Sequence, residues 1–347
     1  MSIDQNVSYS KAKKIGEYYL IFLLIFIPGV VSAGRLLGIG ADYGGYIELF
    51  TYTGLERDSV EPAYRFLRWL NDFLFDSHVA PIYFISVITA LSLKIHAFKS
   101  LSSHWNIVLF LYFLSFFFVH EYTQIRAAVA IGIFLCSIKD IDENRPTRFF
   151  VKMLIATLFH YSAMIMLFCW IYTRMARSIK FYVVVTLSGV VFSIFFTEFA
   201  STLTKYIYML QDLIGLNKSG GESDFMSPWN LKYATLLSLF LLASTLIKKE
   251  DSLNFTLYKI FSFGLCCYYY LLPLQLPVIS VRFAEFYSVV YIILMVNMAY
   301  NKDYCTVKKG YLLLFMSLGV TVLYGYAAMK TITIINTLSS PCNNLYY

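Results

Sequence analysis

Charged residues are scarce in this chain of 347 residues, of which Asp, Glu, Lys and Arg together make up 14%. Soluble domains carry about 25% charged residues, so the composition argues against a water-soluble protein. Hydrophobic residues make up 59%, and the mean hydropathy is +0.63. Because lipid cannot hydrogen-bond to the backbone, segments this apolar must cross a bilayer as helices or as a closed barrel. The long unbroken apolar runs favour helices.

The sequence also lacks the motifs of soluble active sites. It contains no Walker-type glycine loop, no HExxH and no GxSxG. Its six cysteines form no CxxC pair and no metal-binding spacing with histidine, so we predict packing cysteines, no metal and no cofactor. The net charge of +7 is spread over small basic groups between apolar runs, a pattern typical of membrane topology and not of nucleic-acid binding.

The sequence predicts an all-α fold, a polytopic transmembrane helix bundle of about ten spans. Residues 1–347 are expected to form a single integral membrane domain, with the first apolar run retained as a helix. The predicted spans are 18–33, 79–98, 105–119, 125–138, 149–172, 181–199, 231–247, 255–272, 278–299 and 311–335.

Basic residues in short loops stay on the cytoplasmic side, which predicts a cytoplasmic N-terminus. Simple alternation of the spans then fails after residue 149, because it would leave several later basic groups outside. One remedy is that 149–174 enters and leaves by one face, as two short helices that meet near His160 and Ser162. The other is that 201–215 forms a further span. The first is favoured because it keeps Arg174, Arg177 and Lys180 inside.

Two polar segments, about 34–78 and 200–230, are predicted to be outside loops. The first contains 61–75, a segment expected to lie as a helix in the membrane interface. Helical spacing places one apolar stripe on that helix, formed by Tyr64, Leu67, Leu70 and Leu74. Arg65, Arg68 and Asp72 are expected to face elsewhere.

Ionisable residues inside spans cost about 2.5–3.5 kcal/mol each, so each is a candidate for function. Arg126 lies one turn into an apolar helix, and Arg282 lies at the start of another. Two guanidinium groups on separate helices could clamp a diphosphate and stabilise it as a leaving group. The alternative is local pairing, of Arg126 with Glu121 and of Arg282 with Glu285.

Further polar residues flank these arginines in the predicted topology. His160, Tyr161 and Ser162 interrupt an apolar run, where the alternative to a catalytic histidine is a satisfied core histidine. Glu61 and Asp42 are outside carboxylates, either of which could accept a proton from a sugar hydroxyl. Their alternatives are a solvated charge and, for Glu61, a charge interaction at a helix N-terminus.

Five segments in order carry a family resemblance: GGYIELF, EPAYRFLRWLN, QIRAAVAIGIF, ATLFHYSAMIMLF and VRFAEFY. With them the chain resembles the Wzy-type O-antigen polymerases and the EpsG-like polysaccharide polymerases of bacteria. The ordered set extends from about Asp42 to Tyr287. The chain departs from the family pattern at EPAY, where glycine often precedes the tyrosine, and at QIRAA, where glutamine often follows the arginine.

The resemblance implies a glycosyltransferase that polymerises undecaprenyl-diphosphate-linked oligosaccharide units into O-antigen or a similar surface polysaccharide. The reaction would take place at the periplasmic face of the bacterial inner membrane, between a lipid-linked donor and a lipid-linked acceptor. Arg126 and Arg282 would hold the diphosphate, while Glu61 and His160 would position or deprotonate the acceptor hydroxyl.

A wider set of residues is predicted to bind substrate: Asp42, Tyr64, Arg65, Gln124, Tyr161, Ser162 and Glu285. Partners other than the lipid bilayer and the lipid-linked sugars are limited to a chain-length regulator. The alternative functions are a flippase for lipid-linked oligosaccharides and an O-antigen ligase. A flippase is expected to have repeat symmetry and charges reachable from both sides.

Overall fold

The computed structural model describes residues 2–37, 42–51, 60–213, 229–274, 277–301, 304 and 307–339. Within these ranges every regular element is helical, which confirms the all-α prediction. The helices are α1 Ser2–Ala33, α2 Tyr43–Thr51, α3 Pro62–Phe75, α4 Val79–Leu101, α5 Trp105–Ser115, α6 Ile125–Asp142, α7 Pro146–Phe159, α8 Leu167–Tyr172, α9 Ile179–Leu213, α10 Leu231–Leu246, α11 Ser252–Leu271, α12 Pro277–Tyr300 and α13 Val307–Ser339. A π-helical turn, Phe118–Thr123, precedes α6, and a 3-10 turn, Tyr161–Met166, precedes α8.

Each predicted apolar run coincides with helical structure, in agreement with a helical membrane bundle. Four helical segments in the described ranges have the length and hydropathy needed to cross a bilayer: Lys14–Ala33, Val79–Leu101, Ile179–Phe199 and Ile279–Tyr300. Four shorter apolar helices accompany them: Trp105–Ser115, Tyr161–Tyr172, Leu231–Leu246 and Gly310–Tyr326.

Helix α12 lies at the centre of the bundle and α1 at its edge. In the most apolar stretch of α12, 78% is buried inside the protein, compared with 11% in the corresponding stretch of α1. Helix α11 packs closely on α12 because Gly264 leaves room for Tyr287. A Cβ added at Gly264 would lie 2.8 Å from Tyr287 Cβ, so only glycine permits this approach. The contact fixes α12 against α11 near Tyr287, five residues after Arg282.

Helices α7 and α8 form a hairpin whose tip is His160. The backbone at His160 is extended (φ −156°, ψ 112°) and ends α7, as the predicted break near this residue requires. The two helices of the hairpin also lie close together at its base, where the ring centroids of Phe149 and Trp170 are 5.2 Å apart. Arg174 also donates a hydrogen bond to Asn144 Oδ1 at 2.8 Å. The hairpin therefore begins and ends at one level of the bundle and carries His160 far from that level.

A fully buried ion pair connects α4 to the π-helical turn. Lys94 Nζ donates to the Glu121 carboxylate and, at 2.8 Å, to Tyr112 Oη. Tyr112 in turn donates to Glu121 Oε2 at 2.5 Å. All three residues are 0% exposed. A charge in an apolar interior is tolerated only when it is paired and hydrogen-bonded, so this cluster fixes α4, α5 and the turn relative to one another.

Two predicted details of the outside loops are wrong. Helix α3 exists, but its buried face contains Tyr64, Arg68 and Asn71, whereas Leu74 is 54% exposed. Arg68 faces inward because its Nη1 donates to the Leu49 carbonyl at 2.9 Å, which satisfies the charged group without water. The predicted loop 200–230 is helical at its start, since α9 continues to Leu213, and residues 214–228 lie outside the described ranges.

We expect Glu121→Gln to lower the free energy of unfolding by about 3–5 kcal/mol, because it leaves the Lys94 charge buried without a counter-charge. The control is Glu17→Gln, which removes the exposed Lys99–Glu17 pair (2.5 Å) and should cost about 0–1 kcal/mol. Thermal unfolding of both variants in one detergent measures the difference. Equal losses for the two would show that burial of the Lys94 pair contributes nothing.

Candidate functional site

A polar cavity of about 290 Å³ lies where the tip of the hairpin meets the first turns of α2, α6 and α12. Four separate parts of the chain thus contribute to one site. Its lining residues are Asp42, Gly45, Tyr46, Leu49, Gln124, Arg126, Ala127, His160, Arg282 and Phe286. Of the four residues predicted to be catalytic, three line this cavity, and the fourth, Glu61, contacts two of them.

Glu61 bridges Arg126 and His160. Its Oε2 accepts a hydrogen bond from Arg126 Nη1 at 2.7 Å, and its Oε1 lies 3.2 Å from His160 Nδ1. Glu61 occupies this position because it immediately precedes Pro62, the first residue of α3, and proline is favoured there. The carboxylate is 3% exposed and is satisfied by these two partners.

The charge state of Glu61 follows from this environment. Burial by itself would raise the pKa of the carboxyl. The hydrogen bond with His160 and the positive charge of Arg126 outweigh burial, and the pKa lies below its ordinary value of 4.5. Glu61 is therefore ionised at neutral pH and is a poor proton acceptor there. Its geometry suits it to orient the other two side chains.

Arg282 reaches the same cavity from α12. It has no hydrogen bond or ion pair with any residue in the described part of the chain, and its side chain is exposed. Arg126, by contrast, is 27% exposed and is held by Glu61. The cavity thus presents two guanidinium groups, one fixed and one without such a partner. Such a pair can bind the oxygens of a phosphate or diphosphate in bidentate fashion.

His160 is positioned to exchange a proton with a ligand in the cavity. Its Nδ1 faces Glu61, and its ring meets Phe286 edge-on, with 5.8 Å between ring centroids. When Nδ1 carries the proton and donates a hydrogen bond to Glu61, the unprotonated Nε2 is the acceptor. A hydroxyl beside Nε2 could then lose its proton, and the charge on Glu61 would stabilise the resulting imidazolium.

Tyr46 is a cavity residue that the sequence reasoning missed. It is 4% exposed, and the Arg126 guanidinium lies 5.3 Å from the centroid of its ring. Burial raises the pKa of the Tyr46 hydroxyl, although the charge of Arg126 opposes this shift. Tyr46 belongs to GGYIELF, so its segment carried a signal, but no spacing rule distinguishes it from the other tyrosines of the chain.

Two of the residues predicted to bind substrate, Asp42 and Gln124, line the cavity. The structure does not bring the other five into it: Tyr64, Arg65, Tyr161, Ser162 and Glu285. Tyr64 is instead buried beneath the site, where its hydroxyl donates to Ser86 Oγ (3.1 Å) or to the Ile125 carbonyl (3.2 Å). Arg65 is exposed outside the cavity.

Both local pairings considered as alternatives for the arginines are wrong. Glu121 accepts hydrogen bonds from Lys94 and Tyr112 in the buried cluster described above. Arg126 pairs with Glu61 instead. Glu285 accepts a hydrogen bond from Lys232 Nζ at 2.8 Å. These pairings were alternatives because the residues are near in the chain, whereas Glu61 and Lys232, the observed partners of Arg126 and Glu285, lie in distant segments.

The described residues contain no group of three or more His, Cys, Asp or Glu side chains placed to hold a metal ion. The described cysteines, Cys136, Cys169, Cys266 and Cys267, form no disulfide with one another. The cavity is therefore a site of arginine, histidine and carboxylate groups.

These features define a multi-pass helical membrane protein with a polar cavity, lined by two arginines and a histidine, at one end of the bundle. The chain belongs to the EpsG family, whose model matches residues 18–342. This membership confirms the resemblance to EpsG-like polysaccharide polymerases and supports a polymerase-type function. Neither the curated proteins nor the solved structures include a significant match to the chain.

We expect Glu61→Gln to destabilise the protein by about 2 kcal/mol at pH 7, because hydrogen bonds to charged groups contribute this much. The folded-state pKa of Glu61 lies below 4.5, so its contribution is complete above pH 4.5. The contribution is lost as the pH falls through the lowered pKa. The difference in melting temperature between wild type and variant should therefore shrink in acid.

Glu143→Gln is the matched control, because Glu143 forms an exposed pair with Arg145 at 2.8 Å and should change stability little. Thermal unfolding from pH 7 to pH 3 tests the expectation. A difference between wild type and Glu61→Gln that stays constant over this whole range would contradict the assigned ionisation.

Proposed function

We propose that this protein is a glycosyltransferase that polymerises oligosaccharide units carried on undecaprenyl diphosphate into O-antigen or a similar surface polysaccharide. The observation that carries the proposal is the convergence of Arg126, Arg282 and the Glu61–His160 pair at one cavity. Membership in the EpsG family supports the class of reaction.

In the proposed reaction the two arginines act on the donor. The bond between C1 of the donor sugar and its phosphate oxygen breaks, and negative charge develops on the departing diphosphate. Guanidinium groups that already surround this position stabilise the charge without having to reorganise. Arg126 is fixed by Glu61 at 2.7 Å, which gives it a defined direction, and Arg282 reaches the cavity from α12.

His160 acts on the acceptor. As the acceptor hydroxyl oxygen bonds to C1, its proton passes to His160 Nε2, and the Glu61 carboxylate stabilises the imidazolium through Nδ1. This assignment gives the histidine the role of general base and makes Glu61 a positioning residue. It refines the expectation from the sequence, in which either side chain could serve as base, because the lowered pKa of Glu61 makes this carboxylate a weak base.

The proposed topology has about ten spans, with the N-terminus in the cytoplasm of a bacterium and the cavity at the periplasmic face of the inner membrane. The hairpin of α7 and α8 is proposed to re-enter, since its two ends lie together at Arg174 and Asn144. Helix α3 is proposed to lie in the interface, because Phe66, Trp69 and Phe73 are 59%, 60% and 80% exposed. A chain-length regulator is a proposed partner.

The alternative functions differ in what the cavity must do. A flippase needs a polar route reachable from both faces, but the one charged pair described deep in the bundle, Lys94–Glu121, is fully buried and neutralised. This burial favours a structural role for the pair over a role in transport. A ligase would share the lipid-diphosphate donor and use the same arginines, so genetic tests separate it from a polymerase.

We expect deletion of the gene to abolish the ladder of polysaccharide lengths while one repeat unit is retained on the surface. Complementation with Arg126→Ala or Arg282→Ala should leave extension reduced by about 10²–10³-fold, the usual effect of losing one group that stabilises transition-state charge. Arg65→Ala is the matched control and should restore the ladder, because Arg65 lies outside the cavity. Gel analysis of the surface glycan and immunoblotting of the membrane protein measure both outcomes.

Each result separates the hypotheses. A normal ladder from Arg126→Ala or Arg282→Ala removes that arginine from the mechanism. Complete loss of surface glycan on deletion favours the flippase, and accumulation of finished polymer on its lipid carrier favours the ligase.

We expect His160→Gln to reduce the rate of sugar transfer by about 10²–10⁴-fold, the usual contribution of a general base. Binding of undecaprenyl diphosphate should be unchanged, because the arginines remain. Initial rates and ligand binding of the purified protein test this separation. His104→Gln is the control, since His104 stacks on Tyr300 in a different pocket. Equal losses of rate and binding would contradict the role of base.

A further inference from the structure

A second polar cleft, of about 340 Å³, lies at the base of the hairpin, where the ends of α6 and α8 meet the first turns of α11. We call this cleft, formed around Arg174, Arg177 and Lys259, the base pocket. It is remote from the His160 cavity, because the two sites share no lining residue and lie at opposite ends of the hairpin. Nothing in the proposed polymerase reaction uses it.

Positive charge dominates the base pocket. Three cations, Arg174, Arg177 and Lys259, line it together with one carboxylate, Asp142. Asp142 already accepts hydrogen bonds from Ser252 and Thr256, at 2.5 and 3.1 Å. Its hydrogen-bonding capacity is thus partly used on the protein, and its single negative charge cannot balance three positive ones.

The cations differ in how the protein holds them. Arg174 is fixed, since its Nη2 donates to Asn144 Oδ1 at 2.8 Å and its guanidinium lies 3.3 Å from the Trp170 ring centroid. Arg177 and Lys259 form no hydrogen bond or ion pair with any described residue, although both line the cleft. Lys259 Nζ lies 4.3 Å from the centroid of the Phe255 ring and 5.9 Å from that of the Tyr182 ring. Arg177 and Lys259 can therefore donate hydrogen bonds to an anion, beside Arg174, which protein contacts already orient.

The surface next to the base pocket is apolar. Phe168, Ile171 and Met175, on and just after α8, are 57%, 62% and 61% exposed. In a membrane protein such side chains contact acyl chains. A ligand that satisfies both surfaces carries a compact anion and a hydrocarbon tail. Basic pockets between helices at the cytoplasmic side of a membrane bind anionic lipid headgroups by this chemistry.

We propose that the base pocket binds the phosphate group of an anionic phospholipid, with its oxygens on Arg177 and Lys259 and its acyl chains along α8. The same phosphate chemistry is available from soluble phosphate, and the experiment distinguishes the two sources. The inference does not depend on the proposed polymerase activity.

The test uses the full-length protein purified in detergent and titrated with phosphatidylglycerol or with zwitterionic phosphatidylcholine, with bound lipid counted by native mass spectrometry. We expect Arg177→Gln and Lys259→Gln each to weaken phosphatidylglycerol binding about fivefold, the usual effect of one basic residue near an anionic lipid. Phosphatidylcholine binding should be weak in all proteins. Lys180→Gln is the matched control, because Lys180 is an exposed cation three residues after Arg177 that does not line the pocket.

Binding of inorganic phosphate alone, with the same dependence on Arg177 and Lys259, would support the site and assign it to a soluble anion. Two outcomes overturn the proposal. One is equal phosphatidylglycerol binding by wild type and both pocket variants. The other is an equal loss in Lys180→Gln, which would mean diffuse attraction to the basic surface. Melting temperatures check that every variant is folded, and Arg177, being exposed, provides the variant least able to disturb folding.

Discussion

The contact of one carboxylate with two basic side chains organises the functional end of this protein. Glu61 receives Arg126 on one oxygen and faces His160 with the other. These residues belong to three separate parts of the chain, the start of α3, the start of α6 and the tip of the hairpin. A buried carboxylate is stable only when its charge is matched, so this contact couples the positions of the three side chains. The same contacts therefore form the site and fix the surrounding segments relative to one another.

The same requirement for matched charge applies in the interior of the bundle. Lys94, Glu121 and Tyr112 satisfy one another with no exposed surface. Elsewhere the helices approach through small residues, as Gly264 does against Tyr287. In a lipid solvent there is little hydrophobic drive between helices, so close packing and matched polar groups provide the association. The core therefore combines matched charges with close helix packing, whereas Arg282, Arg177 and Lys259, which have no ion pair among the described residues, line the two polar clefts at the ends of the hairpin.

Much of this architecture could be predicted from the sequence because hydropathy reports directly on burial in lipid. All of the predicted apolar runs are helical, and the extended residue at His160 interrupts the run in which a break was expected. The sequence could also select Arg126, His160 and Arg282 as site residues, since charge and imidazole are costly in apolar segments. Glu61 was selected as an outside carboxylate that precedes Pro62 at a helix start. Three of these residues line one cavity and the fourth bonds to two of them.

The errors have a common physical origin. Local pairing of Arg126 with Glu121 and of Arg282 with Glu285 was the alternative to a phosphate clamp, but Arg126 pairs with Glu61 and Glu285 with Lys232, both distant in the chain. The stripe on α3 failed because a backbone carbonyl accepts from Arg68 and draws it inward. Tyr46 was missed because an aromatic ring acquires its role only from the cation that folding brings beside it. Periodicity measures how apolar a face is, and it carries no information on which tertiary partner will satisfy a polar group.

The outward aromatic side of α3 has a consequence for how substrates meet the site. Phe66, Trp69 and Phe73 project from the same helix that Glu61 begins. On the proposed orientation these rings settle at the headgroup level, so the membrane surface fixes the height of the Glu61 carboxylate. Every polyprenyl-linked sugar carries its diphosphate at that level, whatever the length of its glycan. The bilayer would then hold the diphosphates of short and long chains at the same height as the reacting groups.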